Sequence, residues 1–191
     1  MDIREELLEK YGNDSETGEL VLVRYLGKTA AEVSLWEKQD NAWNELFTCE
    51  GQVGKNGVGK EKEGDNKTPL GVFGLSVPFG TLPDPGCAIP YTHLQESHYW
   101  CGDDAAYNRL IDLREIPHDC QGEHLIEYPD YKYALFIEYN KECIPGKGFA
   151  IFFHCFGKNP YTAGCVAIDE PYMKTVLQHV HPGAKICIFE S

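Results

Sequence analysis

Short apolar runs of strand length, separated by polar turns, set the pattern of this chain. Residues 20–25 (LVLVRY) form one run, residues 31–36 (AEVSLW) alternate, and residues 43–49 form a third. Polar turns at Gly27-Lys28 and Gln39-Asp40-Asn41 separate them, which predicts a β-meander. Residues 71–77 return to strand. Farther on, residues 132–139 read as a strong strand, and residues 148–154 (GFAIFFH) are nearly all apolar and hence central. Residues 165–168 are short and apolar, and residues 184–189 form a last strand. Helical spacing is rarer. In residues 3–11, Ile3, Leu7 and Leu8 fall near one face. Asp169 can cap a second helix, with Pro171 in its first turn, running to about His179. A short helix is also expected around 104–111. The sum is one mainly-β domain over residues 1–191.

Two segments stand outside this pattern. Residues 51–71 (GQVGKNGVGKEKEGDNKTPLG) are glycine-rich and polar, a loop with tight backbone requirements. It lacks the G-x-x-x-x-G-K-[ST] order of a phosphate cradle. Its lysines, Lys55, Lys60, Lys62 and Lys67, read as solvated charges among acidic neighbours. Residues 78–131 are irregular and rich in Pro, His, Asp and aromatics. An irregular stretch of that length in a single domain is expected to form a lid or one wall of a groove.

Charge narrows the partners. Seventeen Lys and Arg against 30 Asp and Glu leave a formal net charge of −13. Such a surface does not displace phosphate counterions, so nucleic acid is excluded as a partner. No apolar run is long enough to span a membrane, and stable membrane insertion of this chain is not expected. The N-terminus, from Met1 to Glu6, is charged and lacks the apolar core of a secretion leader.

The eight cysteines include no Cys-x-x-Cys pair, which argues against a zinc ribbon or thioredoxin-like motif. Cys187 sits in a strand and reads as a buried free thiol. Pairing among Cys87, Cys101, Cys120 and Cys143 is left open. His179 and His181 straddle a helix end without nearby ligands of other types, a poor zinc site. No metal or cofactor is expected.

Candidate chemistry lies between two strands. His154 ends the apolar run 148–154, and Cys165, preceded by Gly164, opens the next. A turn-rich loop with Gly157, Asn159 and Pro160 joins them, so the end of one strand can face the start of the other. A free thiol has a pKa near about 8.5, and a neighbouring imidazole raises its reactive thiolate fraction. Backbone N–H groups around Gly164 and Cys165 are candidates for an oxyanion site.

The stretch FAIFFHCFGKNPYTAGCVAIDEPYMKTVLQHVHPGAKICIF resembles the C-terminal half of an L,D-transpeptidase (YkuD-like) catalytic domain. His154 and then Thr162-Ala163-Gly164-Cys165 match that family's strand-end histidine and [ST]-x-G-C motif. Upstream, Gly64, Asp65, Thr68, Pro69 and Gly71 match its Gly-Asp-x-x-Thr-Pro-x-Gly segment. The resemblance implies a β-sandwich-like catalytic domain with one or two short helices. It implies Cys165 as nucleophile, His154 as base and Gly164 as part of the catalytic motif. Tyr161, Thr162 and Ala163 are then expected beside the substrate. So is Cys155, whose backbone carbonyl would orient the imidazole. Trp100 and Asn108 are weaker groove candidates from a Trp…Tyr-Asn pattern, with a Trp that packs the lid down as the competing reading; Asp103 and Tyr107 accompany them.

The implied activity is peptidoglycan L,D-transpeptidation, in which the thiolate takes the acyl group of a tetrapeptide stem as a thioester and passes it to an amine of another stem. Carbapenems acylate the same cysteine in many members. The partners would be peptidoglycan stem peptides, the protein a monomer, and the place the cell envelope, with the cytoplasm as alternative. The chain departs from the commoner pattern at Ala163, where many members have His, and at Ala167, where many have Arg. Two alternatives stay open: an L,D-carboxypeptidase on the same site, and a catalytically inactive wall-binding module.

Overall fold

The fold comes from a computed structural model and is described for residues 2–190. Helix α1 (Ile3–Gly12) starts at Asp2, whose side chain accepts from the Arg4 N–H. Its half-buried Leu7, Leu8 and Tyr11 pack on Leu20, Leu22 and Cys187 of the sheet. Strands β1 (Glu19–Gly27), β2 (Ala30–Gln39) and β3 (Ala42–Gln52) then form the expected antiparallel meander. Its second turn is made by Asp40 and Asn41 at φ 50° and 62°. These residue types tolerate the left-handed region a tight hairpin needs.

Strand β4 (Gly71–Gly80) leads into the irregular segment, which holds β5 (Thr92–His93), β6 (His98–Cys101), β7 (Arg109–Asp112) and β8 (Gly122–His124). Then come β9 (Ala134–Ile137), β10 (Phe152–Cys155), β11 (Val166–Ile168), α2 (Glu170–His179) and β12 (Lys185–Glu190). Nine strands form one sheet in the order β12-β1-β2-β3-β11-β10-β9-β4-β5, and β12 also pairs with β4. That extra pairing closes eight of them into a ring, so the sandwich-like expectation is realised as one sheet folded back on itself. Strands β6, β7 and β8 make a separate three-stranded sheet in the order β7-β6-β8.

Strands β9, β10 and β11 are covered on both faces, which explains their nearly continuous apolar runs. On one face Leu135, Ile137, Phe153, Val166 and Ile168 join the main core with Met173, Val176 and Leu177 of α2. On the other, Ala134, Phe136, Phe152 and Cys165 lie with Phe79, Trp100 and Leu125 under the small sheet. Helix α2 begins where expected: the Asp169 side chain accepts from the Glu170 N–H at 2.9 Å.

The helix expected around 104–111 does not form. Asp103 Oδ1 accepts from the Ala105 and Ala106 N–H groups, each at 3.2 Å, closing a turn instead. Asn108 then takes φ 58°, and residues 109–112 pair with β6 as β7. These are the bonds of a helix N-cap, so the turn ends for a tertiary reason: the Asn108 side chain is held in the interior by Trp100, Ala150, Tyr139 and Asn140. Of the four cysteines whose pairing was open, Cys101 and Cys120 form a disulfide, while Cys87 and Cys143 are free. Cys187 is a buried free thiol, as its strand position implied.

Two substitutions test this layering. Leu135 is fully buried, and Leu135→Ala should cost about 2–5 kcal/mol in denaturant unfolding. Leu26 is 53% exposed, and Leu26→Ala should change stability by no more than about 0.5 kcal/mol.

Candidate active site

The parallel pairing of β10 with β11 sets His154 opposite Ala167 and Phe153 opposite Val166. Side chains alternate along a strand, so Ala167 and Cys165 share one face, and His154 shares it with them. The thiol and the imidazole thus come from neighbouring chain segments, two residues apart in register, and both line one cavity of about 410 Å³. Tyr161, Thr162 and Ala163 line it too.

His154 Nδ1 lies 2.7 Å from the Cys155 carbonyl. A carbonyl only accepts, so Nδ1 carries the proton and Nε2 keeps a free lone pair. Cys165 Sγ sits between the Phe152 N–H at 3.2 Å, which donates to it, and the Ala150 carbonyl at 3.4 Å, which accepts from it. Among the described residues no hydrogen bond joins Sγ directly to His154. Burial pushes the Cys165 thiol up to about 12, against the opposing Phe152 N–H. Burial also lowers the His154 pKa, opposed by the Cys155 carbonyl and the Asp130 charge. The resting pair is therefore a neutral thiol and a neutral imidazole.

The backbone at Cys165 is clamped. The Thr162 hydroxyl donates to the Cys165 carbonyl at 2.7 Å, and the Thr68 hydroxyl donates to the same oxygen at 3.1 Å. Thr162 Oγ1 also accepts the Gly164 N–H at 3.1 Å, and Thr68 Oγ1 accepts the Gly54 N–H at 2.9 Å. The two separated motif blocks thus converge on one oxygen. Gly164 has φ 141°, and a Cβ there would lie 2.9 Å from the Lys67 carbonyl oxygen, so only glycine fits between the clamps.

The glycine-rich loop is built around Asp65. Its carboxylate accepts from Lys60 Nζ at 2.8 Å and from the backbone N–H groups of Glu61, Lys62 and Lys67. Burial would raise its pKa, but these four donors outweigh it and hold Asp65 well below the usual carboxylate range. Lys60 is not the solvated charge its sequence context suggested. Its side chain is 3% exposed, and it lines the cavity.

Three expected groove residues lie elsewhere. Trp100 is buried against Phe79, Phe136 and Phe152, so the competing reading of a packing tryptophan describes its position. Asn108 is buried as well. Its Oδ1 accepts from Trp100 Nε1 and from the Ala150 N–H, and its Nδ2 donates to the Tyr139 and Asn140 carbonyls. Asn108 thereby fixes Ala150, at φ 56°, whose carbonyl receives the Cys165 thiol. The Cys155 side chain points into the main core, and only its carbonyl serves the site. Asp103 and Tyr107 brace the irregular segment: Asp103 binds His118, and the Tyr107 hydroxyl accepts the Gly148 N–H. His179 and His181 each face a different carboxylate, Glu37 and Glu19. One trio of possible metal ligands, Cys101, Asp103 and Cys120, lies together among the described residues, but its two sulfurs are bonded to each other.

A family model described as the YkuD L,D-transpeptidase catalytic domain matches residues 28–188. The chain belongs to this family. No curated protein matches its sequence. Among solved structures, it is similar to the helical cell shape determining protein Pgp2 from Campylobacter jejuni, at 17% identity and TM-score 0.50, over 98% of this chain and 55% of that one. Bd1075 from Bdellovibrio bacteriovorus matches at 16% identity and TM-score 0.49, over 91% and 48%. An L,D-transpeptidase (Yku) from Stackebrandtia nassauensis matches at 12% identity and TM-score 0.44, over 95% and 64%. The likeness to Pgp2 is one of fold alone, and the chain spans about half the length of the first two.

In this YkuD domain the far wall of the cavity comes from the irregular segment, through Glu123, Tyr128, Asp130 and Tyr131. Sequence reading passed over them because nothing in their local spacing marks a site.

Asp65→Asn tests the loop. A carboxylate held low in the fold stabilises above its unfolded pKa, and that stabilisation is lost as pH falls through the folded value. The variant should lose about 3 kcal/mol at pH 7, the scale for a buried cation left unpaired, and the difference should shrink in acid below about pH 4. Urea melts at several pH values measure it. For the thiol, iodoacetamide should label Cys165 of the free protein more slowly at pH 7 than it labels a free cysteine, and faster as pH rises above about 9. Rapid labelling at pH 7 would contradict the neutral resting pair.

Proposed function

We propose that the protein is a peptidoglycan L,D-transpeptidase acting on tetrapeptide stems in the cell envelope. The observation that carries this reading is the arrival of Cys165 and a His154 with free Nε2 on one face of one cavity, with the Cys165 backbone clamped by two threonines. The family relation supports the reaction class.

The steps follow from the groups in place. The third-residue carbonyl of a stem settles over Cys165, and the thiol proton passes to His154 Nε2 as sulfur bonds to the carbonyl carbon. The Gly164 N–H is committed to Thr162, so we assign the oxyanion to the Cys165 N–H. Collapse breaks the C–N bond, and the imidazolium returns its proton to the departing D-alanine nitrogen. A thioester remains on Cys165. An amine of a second stem attacks it, the C–S bond breaks, and sulfur regains a proton through His154. Tyr161 and Ala163 lie along the cavity where stem residues pass.

Incubation with a tetrapeptide stem should release D-alanine and yield a joined product. Cys165→Ala should give neither, and His154→Ala should lower kcat/KM by about 10²–10⁴. Release of D-alanine without joining makes the protein an L,D-carboxypeptidase. Neither product from a folded, reduced protein makes it a wall-binding module.

A further inference from the structure

Acyl transfer as drawn leaves Glu123 without a task, although it lines the same cavity as Cys165 and His154. Its Oε2 accepts from the Tyr131 hydroxyl at 2.7 Å, and the Tyr131 ring meets the His154 ring edge-on, 5.3 Å between centroids. Among the described residues no cation forms an ion pair with Glu123. Lys60, the lysine of the cavity, is already committed to Asp65. Glu63 and Asp130 add acidic groups to the lining, and Tyr128 completes the titratable set on that wall. An acidic cavity with an unpaired carboxyl attracts a cationic group.

The acceptor of acyl transfer is such a group. A primary amine is protonated at neutral pH and has no lone pair to attack with. His154 is occupied in carrying a proton from the attacking nitrogen to sulfur, so a second proton needs a second destination.

We propose that Glu123 is the acceptor-side base, whose carboxylate binds the incoming ammonium group and takes one proton from it. This role rests on the transpeptidase reading. The ammonium and carboxylate become a neutral amine and a carboxylic acid. The amine lone pair forms the C–N bond, and the C–S bond breaks with its electrons on Sγ. The remaining excess N–H proton travels through His154 Nε2 to Sγ, and the carboxylic acid releases its proton to water.

The electrostatics suit the exchange. Burial raises the Glu123 pKa to about 7; the Tyr131 hydrogen bond opposes this and the Asp130 charge adds to it. Proton uptake and release are then both accessible at neutral pH. Water needs no such prior deprotonation as an acceptor, so Glu123 favours transfer to an amine over hydrolysis. Tyr131 is a positioning residue for the carboxylate.

The test compares two acceptors with the full chain and a tetrapeptide stem: a basic primary amine, and hydroxylamine, which is already largely neutral at pH 7. In Glu123→Gln the ratio of transfer to the basic amine over transfer to hydroxylamine should fall about tenfold or more. An unchanged ratio overturns the proposal. Where Glu123→Gln does not fold, Tyr131→Phe decides. It removes the hydrogen bond that lowers the carboxyl's pKa, so the pH midpoint for transfer to the basic amine should move upward; an unmoved midpoint overturns the proposal. Failure of the wild type to form any thioester removes the transpeptidase reading, and this role with it. A thioester with an unchanged acceptor ratio removes the role of Glu123 alone.

Discussion

The site hangs on the Cys165 carbonyl, which receives hydroxyl hydrogen bonds from Thr162 and Thr68. One of these residues lies three positions upstream and the other 97 positions away. Their shared acceptor ties the glycine-rich loop to Cys165, and Gly164 fits between them because a side chain would strike the Lys67 carbonyl. Each neutral hydrogen bond contributes only about 1 kcal/mol net, but leaving a buried polar group unpaired costs more, so the clamp is cooperative. The Asp65–Lys60 pair stiffens the same loop from below and places a buried cation beside the cavity.

Around that anchor the chemistry is held uncharged. Burial raises the thiol and lowers the imidazole, so neither ionises spontaneously. Backbone groups of Phe152 and Ala150 keep the thiol in place, and the Cys155 carbonyl keeps the imidazole proton on Nδ1. A thiol held neutral in this way is a weak nucleophile until its proton has somewhere to go. The small sheet carrying Trp100 and Glu123 matters here twice: Trp100 packs on Phe152 of β10, and Glu123 lines the cavity.

Much of this was legible in the sequence. The meander, the two helices, the Asp169 cap and the central strands follow from apolar spacing and from cap and turn residues. Thr162, Gly164, Cys165 and His154 were found as a motif, and Thr68 and Asp65 as a second block. What the sequence hid was their meeting. Nothing in the spacing tells that Thr68 and Thr162 hold one oxygen, or that Lys60 is buried rather than solvated. Asn108 and Trp100 were expected at the groove and instead act from beneath it, because a buried amide fixes Ala150 and so the thiol. The short helix around 104–111 stops after one turn because Asn108 takes φ 58° to place its amide in the interior, and residues 109–112 pair with β6. Glu123 left no local signal, since only the folded chain brings it to the cavity that Cys165 and His154 line.

The central claim is that Cys165 becomes the acyl carrier when a stem is bound. Intact mass of the protein, quenched in acid during turnover of a tetrapeptide stem, tests it most directly. The account predicts a gain equal to the mass of the stem minus that of the D-alanine released, mapped by digestion to the peptide that contains Cys165. An unmodified Cys165 during measurable D-alanine release would contradict it.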